Sequence, residues 1–312
     1  MQHAGQGCLP RTRSGEYRSR IASAFRINTT SMSPIDTRTG LPFLGFGLRL
    51  RREYVSSALS GQPDVDWFEI ISENHMDDSG DDLDDLLKIR ADYPLVMHGI
   101  SLGIGSPWPL DRGYIQKLKA LIDRVRPAWI SDHLCWRGAD DMHGSLLPLP
   151  YSEEMLEHVV ARIQRVQDML GGRILLENVP PERFDGRPEI PEADFLTEVA
   201  SRSGSLILVD VSNLLNSTLN TGISADDYLG KLSPSHVQQI HLSGAIALCD
   251  STGEHSGASG DPIWSLYTRI LEKFGAVSTM IEREDTIAPL NEMVQEVSKA
   301  RCSANTILSA RC

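Results

Sequence analysis

Arg173-Ile-Leu-Leu-Glu-Asn178, the helical stretch Pro191–Ser203 and Ser205-Leu-Ile-Leu-Val-Asp210 follow one another along the chain. Each apolar run is too short for a helix and ends in an acid or an amide, whereas the segment between them has helical period. Two buried strands joined by a helix form a parallel crossover unit. Working outward, the same alternation gives strands at Phe43–Arg49, Asp66–Glu73, Pro94–His98, Ala128–His133, Val237–Leu242 and Val277–Glu282. Clear helical patterns also occupy Arg112–Arg126, Ser152–Leu170 and Pro262–Phe274. The last of these has Asp261 as N-cap, Pro262 as first helical residue and Gly275 as stop. Eight successive strand-helix units without a Gly-x-Gly-x-x-Gly turn favour a closed (β/α)8 barrel over a doubly wound sheet. The Gly99–Gly105 segment lacks that spacing and reads as a shaped loop.

The 312 residues are 41% hydrophobic, enough for one such domain, expected over residues 41–301 with a C-terminal tail at 302–312. Residues 1–40, with Arg11, Arg13, Arg18, Arg20 and Arg26 and no sustained period, read as a disordered extension. Met32 stands just before the periodic pattern, so an upstream reading of the start codon would also explain it, as, more weakly, would a transit peptide. A formal charge of −12, from 30 Lys and Arg against 42 Asp and Glu, argues against a nucleic-acid binder. No apolar run reaches the ~20 residues needed to cross a bilayer, and no secretion signal is evident, so the expected compartment is the cytoplasm. Cys8, Cys135, Cys249, Cys302 and Cys312 are scattered without a Cys-x-x-Cys pair, and Cys135 reads as packing near the site rather than an activated thiol.

Position is the strongest signal in the chain. Glu73 and Asn74 end the second strand, His98 the third, Asp132 and His133 the fourth, and Glu177 and Asn178 the fifth. Asp210, with Asn213 nearby, ends the sixth, His241 the seventh and Glu282 the eighth. A barrel gathers these ends at one mouth, where acids without a counter-charge would have to protonate or stay wet. Bound cations resolve the conflict, and mixed imidazole and carboxylate donors suit iron, manganese or zinc. Taken singly, His98 reads equally well as a satisfied core histidine, and an acid after an apolar run as a helix cap. Seven strands ending this way favour the metal site. His255 lies in the Gly- and Ser-rich loop after the seventh strand, a place where barrels carry function. His3, His143, His158 and His236 read as structural or exposed, and His75 is ambiguous. The acidic run from Asp77 to Asp85 lacks EF-hand spacing and reads as a solvated helix entry.

Together these segments resemble the multinuclear non-heme iron-dependent oxidative enzymes, a family that includes the iron oxygenase of methanobactin biosynthesis. The carriers are Gly45-Phe-Gly-Leu-Arg49, Trp67-Phe-Glu-Ile-Ile-Ser-Glu-Asn74, Tyr93-Pro-Leu-Val-Met-His-Gly99, Ser131-Asp-His-Leu134 and Leu146-Leu-Pro-Leu-Pro-Tyr151. Leu176-Glu-Asn-Val179, Asp210-Val-Ser-Asn213, His241-Leu-Ser-Gly244 and Ile281-Glu282 complete them. The resemblance implies a TIM barrel of the xylose-isomerase-like kind holding two or three iron ions. It implies activation of dioxygen to remodel residues, often cysteine, of a ribosomal precursor peptide, with a small partner protein that recruits the precursor. It also implies His98, Asp132, Glu177, Asn178, Asp210, His241, His255 and Glu282 as the iron-binding set, with His98, Asp132, Asn178 and Asp210 closest to the chemistry. Glu73, His133, Asp250 and Glu254 are possible additions. His255 precedes Trp264 by the family's interval.

Two departures stand out. Glu53, in Arg51-Arg-Glu-Tyr54, occupies the place of a family histidine, and Gly253-Glu-His255 replaces the loop motif Asp-x-His, leaving Asp250 or Glu254 to substitute. Rival readings are a zinc- or manganese-dependent phosphodiesterase or sugar isomerase, and a metal-poor barrel acting as a binding module.

Overall fold

The computed structural model describes residues 35–61, 63–77, 80–137, 146–180, 188–243, 261–283 and 287–310. The strands are β1 (Phe46–Arg49), β2 (Trp67–Ile71), β3 (Leu95–Gly99), β4 (Ile130–His133), β5 (Ile174–Glu177), β6 (Leu206–Asp210), β7 (Val237–Ser243) and β8 (Ser278–Glu282). All pair in parallel, and β8 returns to β1 through Leu48 and Ile281, so the sheet is closed. The helices are α1 (Val55–Leu59), α2 (Asp81–Asp92), α3 (Arg112–Val125), α4 (Glu153–Leu170), α5 (Glu192–Ser203), α6 (Val211–Thr221), α7 (Ala225–Lys231), α8 (Pro262–Phe274) and α9 (Leu290–Ser309). This is the (β/α)8 TIM barrel that the alternation predicts.

Strand phase divides the apolar residues into two cores. Trp67, Val96, Trp129, Leu175, Leu206 and Met280 fill the barrel interior. Their neighbours one residue along, among them Phe68, Met97, Leu176, Ile207 and Ile281, pack outward beneath the helices. Trp67 is fully buried and meets Trp129 edge-on at 6.0 Å. Its indole takes the space in front of Gly47, where a Cβ would lie 2.4 Å from the ring, so β1 needs glycine there.

Local signals fix the helix starts. Asp111 accepts from the Gly113 and Tyr114 N–H groups, Ser152 from Met155 and Asp261 from Ile263, satisfying donors that the first helical turn leaves unpaired. The second strand stops at Ile71, short of the expected Glu73, because the chain coils into a 3-10 turn at Ser72–Asn74.

The folded body is larger than the expected 41–301. Before β1, Ile35 bridges to Pro42, Arg38 donates to the Phe274 and Ala276 carbonyls, and Gln238 donates to the Pro42 carbonyl at 3.0 Å. Arg173 donates to the Thr39 carbonyl at 2.9 Å, so residues 35–42 close the floor of the barrel. At the other end, α9 runs past Arg301 to Ser309, and Arg301 lies 3.3 Å from both Asp64 and Asp66. Cys135 is a free, buried thiol, while Cys302 is disulfide-bonded, which the cysteine spacing did not indicate. Among the described residues, no helix is long and apolar enough to cross a membrane.

Candidate metal centre

The interior phase that holds Trp67, Val96, Leu175, Leu208 and Met280 continues upward to polar residues. Two places on from each stand Glu69, His98, Glu177, Asp210 and Glu282; Arg49, His133 and His241 join them from β1, β4 and β7. All of these except Arg49 are at most 7% exposed. Parallel register makes neighbours of Asp210 and His241 and of His133 and Glu177.

Glu177 is the hub. Its Oε2 lies 3.4 Å from His98 Nε2, 3.5 Å from His133 Nε2 and 3.6 Å from His241 Nδ1. His241 Nε2 lies 3.1 Å from Glu69 Oε2, and its Nδ1 lies 4.0 Å from Glu282 Oε1. Three overlapping groups therefore form: Glu69, His98 and His241; His98, His133 and Glu177; Glu177, Asp210 and His241. Within each, the candidate ligand atoms lie within 4.8 Å of one another.

Supporting contacts hold the donors in place. Ser131 Oγ is 2.8 Å from His98 Nδ1, and the Gly99 carbonyl is 3.3 Å from His133 Nδ1, which leaves the Nε2 atom of each ring facing Glu177. Trp129 donates to Gln239, which donates to Glu69 Oε2. Arg49 Nη2 sits 2.5 Å from Glu282 Oε2.

Electrostatics show what a cation would relieve. Burial pushes Glu177 well above the usual carboxylate range, against the pull of His241. Burial alone would lower His241, yet Glu69, Glu282 and Glu177 together raise it to about 10. His98 is held well below the usual imidazole range by burial and by His133, and His133 is lowered to about 4 by burial and by His241. Glu69 Oε1, Glu177 Oε2 and His241 Nδ1 are buried with no hydrogen-bond partner. Buried donors left over in this way, all nitrogen or oxygen, fit divalent iron, manganese or zinc.

Of the residues singled out from sequence, His98, Glu177, Asp210, His241, Glu282 and His133 come together here. Asp132 does not. It lies on the opposite phase of β4, where Oδ2 accepts from Leu102 N–H at 3.2 Å, and its carboxylate fills the space where Gly99 would carry a Cβ. Burial and then Glu73 raise it to about 8. Glu73 also stands outside the cluster, accepting from Ile100 N–H at 2.9 Å and from the Tyr114 hydroxyl at 2.7 Å. Asn178 braces the mouth: Oδ1 accepts from Asp210 N–H at 2.8 Å, while Asn213 donates to the Asn178 carbonyl at 3.0 Å. Burial and Asp132 raise the Cys135 thiol, so it is no thiolate at neutral pH. Glu53 is exposed on the 3-10 turn after β1. Asp250, Glu254, His255 and His143 fall outside the described residues. Glu69 was missed from sequence, because it lies inside a strand rather than at its end.

Fold and site together define a TIM barrel with a buried histidine and carboxylate centre, able to hold metal ions, at the C-terminal mouth of its strands. Relatives carry the identification further. The profile of the family described as "RiPP precursor modification enzyme MbnB/TglH/ChrH" matches residues 45–305. This chain belongs to that family of enzymes, which modify precursors of ribosomally made peptides. A UPF0276 protein of Anaeromyxobacter sp. (strain Fw109-5) is 45% identical over 263 residues, covering 82% of this chain and 92% of its own. Another, from Caulobacter vibrioides, is 39% identical over 266 residues, covering 83% and 94%. Among solved structures, a D-psicose 3-epimerase aligns with a TM-score of 0.53 at 12% identity, covering 85% of this chain and 97% of its own. Endonuclease IV of Thermus thermophilus aligns with 0.51 at 14% identity, covering 84% and 99%. Both are similar in fold alone, the xylose-isomerase-like barrel.

Proposed function

We propose that the protein is a multinuclear non-heme iron enzyme that uses dioxygen to modify a residue, cysteine by preference, of a ribosomal precursor peptide brought to it by a small partner protein. The observation that supports this reading is the sharing of His98, Glu177 and His241 among three overlapping ligand groups, since a single ion has no use for so many donors from separate strands. Glu69, His98, His133, Glu177, Asp210, His241 and Glu282 would hold the ions, with His255 joining from the loop after β7. Iron so held supplies oxygen activation and a binding place for a substrate thiolate.

The chain's own groups do the rest. Ser131 and the Gly99 carbonyl fix which imidazole nitrogen faces Glu177, and Asn178 and Asn213 hold the ends of β5 and β6 in register. The apolar floor beneath, from Trp67 to Met280, keeps water from entering below.

Metal analysis tests the reading. Protein purified anaerobically from iron-supplied cells should contain more than one iron per chain and should modify a precursor peptide only with oxygen present. Stoichiometric zinc or manganese alone would overturn it. His241→Ala and His255→Ala should each lower iron content and abolish modification with the secondary structure retained, whereas His236→Ala, below the barrel, should do neither.

A further inference from the structure

The two tryptophans that meet in the barrel interior differ in what their indole N–H groups find. Trp67 Nε1 is buried with no hydrogen-bond partner among the described residues, whereas Trp129 Nε1 donates to Gln239 Oε1 at 2.6 Å. Gln239 lies on β7, two places before His241 and so on the same face of the strand, and it is fully buried. An amide set into an otherwise apolar floor is unfavourable unless both of its ends are paired. Here both are, and the second end is paired with the metal centre.

The pairing has a direction. An indole N–H can only donate, so the Gln239 atom that meets Trp129 is the carbonyl oxygen, and the amide NH2 is turned toward the centre. That NH2 donates to Glu69 Oε2 at 2.6 Å. Its nitrogen also lies 2.9 Å from His241 Nε2, which is 3.1 Å from the same carboxylate oxygen. One oxygen of Glu69 and one edge of the His241 ring are thereby held from below. The opposite atoms are left over: Glu69 Oε1 and His241 Nδ1 are buried without a hydrogen-bond partner, and Nδ1 stands 3.6 Å from Glu177 Oε2.

We infer that Gln239, oriented by Trp129, is a positioning residue of the metal centre: it holds Glu69 Oε2 and the Nε2 edge of His241, so that Glu69 Oε1 and His241 Nδ1 are the atoms presented to the ions. The Trp129 N–H is what fixes the amide. Without it the amide can turn over and set its carbonyl against the Glu69 carboxylate, two acceptors facing each other, and the shared support of both ligands is lost. The inference rests on the metal-holding part of the reading above, and its test needs neither iron nor a peptide.

Cobalt(II), a divalent ion whose visible absorption reports the atoms around it, is the probe, titrated into the full chain after a chelator has stripped it of metal. Trp129→Phe removes the N–H and should weaken cobalt binding about tenfold, with a shift of the visible bands. Gln239→Leu should weaken it roughly 10- to 100-fold and shift the bands the same way. Trp67→Phe trims the neighbouring indole in the same core, so it carries the cost of the smaller ring alone, and it should leave affinity and spectrum as in the wild type. Equal affinity and spectrum in the two Phe variants would overturn the inference, as would a folded Gln239→Leu protein that binds cobalt as the wild type does. Should Trp129→Phe fail to fold, as judged by circular dichroism, Gln239→Leu decides. Wild-type protein that takes up no cobalt would overturn the metal reading and this inference with it. Protein that behaves as expected toward cobalt but is purified with zinc alone overturns the iron reading and leaves the role of Gln239 standing.

Discussion

Glu192, in the first turn of α5, is 7% exposed, accepts from the Tyr228 hydroxyl at 2.7 Å and is raised by burial to about 7. An acid raised on folding favours the fold while it is protonated, so its contribution is full below the unfolded value near 4.5 and fades as pH climbs to 7. Glu192→Gln keeps the acceptor and removes the charge. It should stabilise the protein by about 3 kcal/mol at pH 8 and by little at pH 4.5, as read from denaturant unfolding at both values; parallel curves for the two proteins would refute this. Glu69 offers a second test, since its carboxylate faces His241 at 3.1 Å within one of the ligand groups. Glu69→Gln should weaken metal binding roughly 10- to 100-fold without loss of helix signal, as measured by competition with a chromophoric chelator. Sequence position alone directed attention to strand ends, and so to Asp132, Glu73 and Asn178, when the informative property is phase. A count of two from Trp67, Val96, Leu175, Leu208 and Met280 picks out Glu69, His98, Glu177, Asp210 and Glu282, and excludes Asp132. That count was available in the sequence; the 3-10 turn that carries Glu73 away was not, because it depends on Tyr114 and Ile100 from elsewhere.

Among the elements, helices with both an apolar stripe and an end signal are those the sequence places to within a residue. For α8, Asp261, Pro262 and Gly275 mark the ends that the structure shows, and for α4, Ser152 caps the helix and Gly171 ends it in the left-handed region. The floor segment 35–42 is different. It has no period because its residues are held by groups distant in sequence: Arg38 donates to carbonyls before β8, and Thr39 and Pro42 are both held by the Gln238 side chain. Deleting residues 1–31 should leave the melting temperature unchanged. Arg38→Ala, which removes a charged donor from two carbonyls, should cost about 2 kcal/mol, or roughly 3–4 °C for a chain of this size. If the deletion alone lowers the melting temperature that far, the preceding residues also pack on the barrel.

At the scale of the whole molecule, the eight-strand closure follows from alternation alone, while the charge balance at its mouth follows only from the closed geometry. With His241 raised to about 10, the metal-free protein holds a proton there near neutrality, and a bound cation expels it; burial raises Glu177 in the same direction. Metal affinity should therefore rise between pH 6 and 8 by about tenfold per unit for each proton released. A chelator competition that is flat across that range would contradict this. The closure of β1 on β8 has a further consequence, for the order of events in the cell. Leu48 meets Ile281, and α9 must follow before Arg301 can reach Asp64 and Asp66. The ring stays open until β8 has left the ribosome, and its seam is secured once α9 has followed. Because His241 and Glu282 belong to β7 and β8, an ion held earlier by Glu69 and His98 would lack the third member of that group, His241. A chain halted before β8 would lack Glu282, and one halted before β7 would lack His241 as well, so the candidate ligand set is complete only after both strands have emerged.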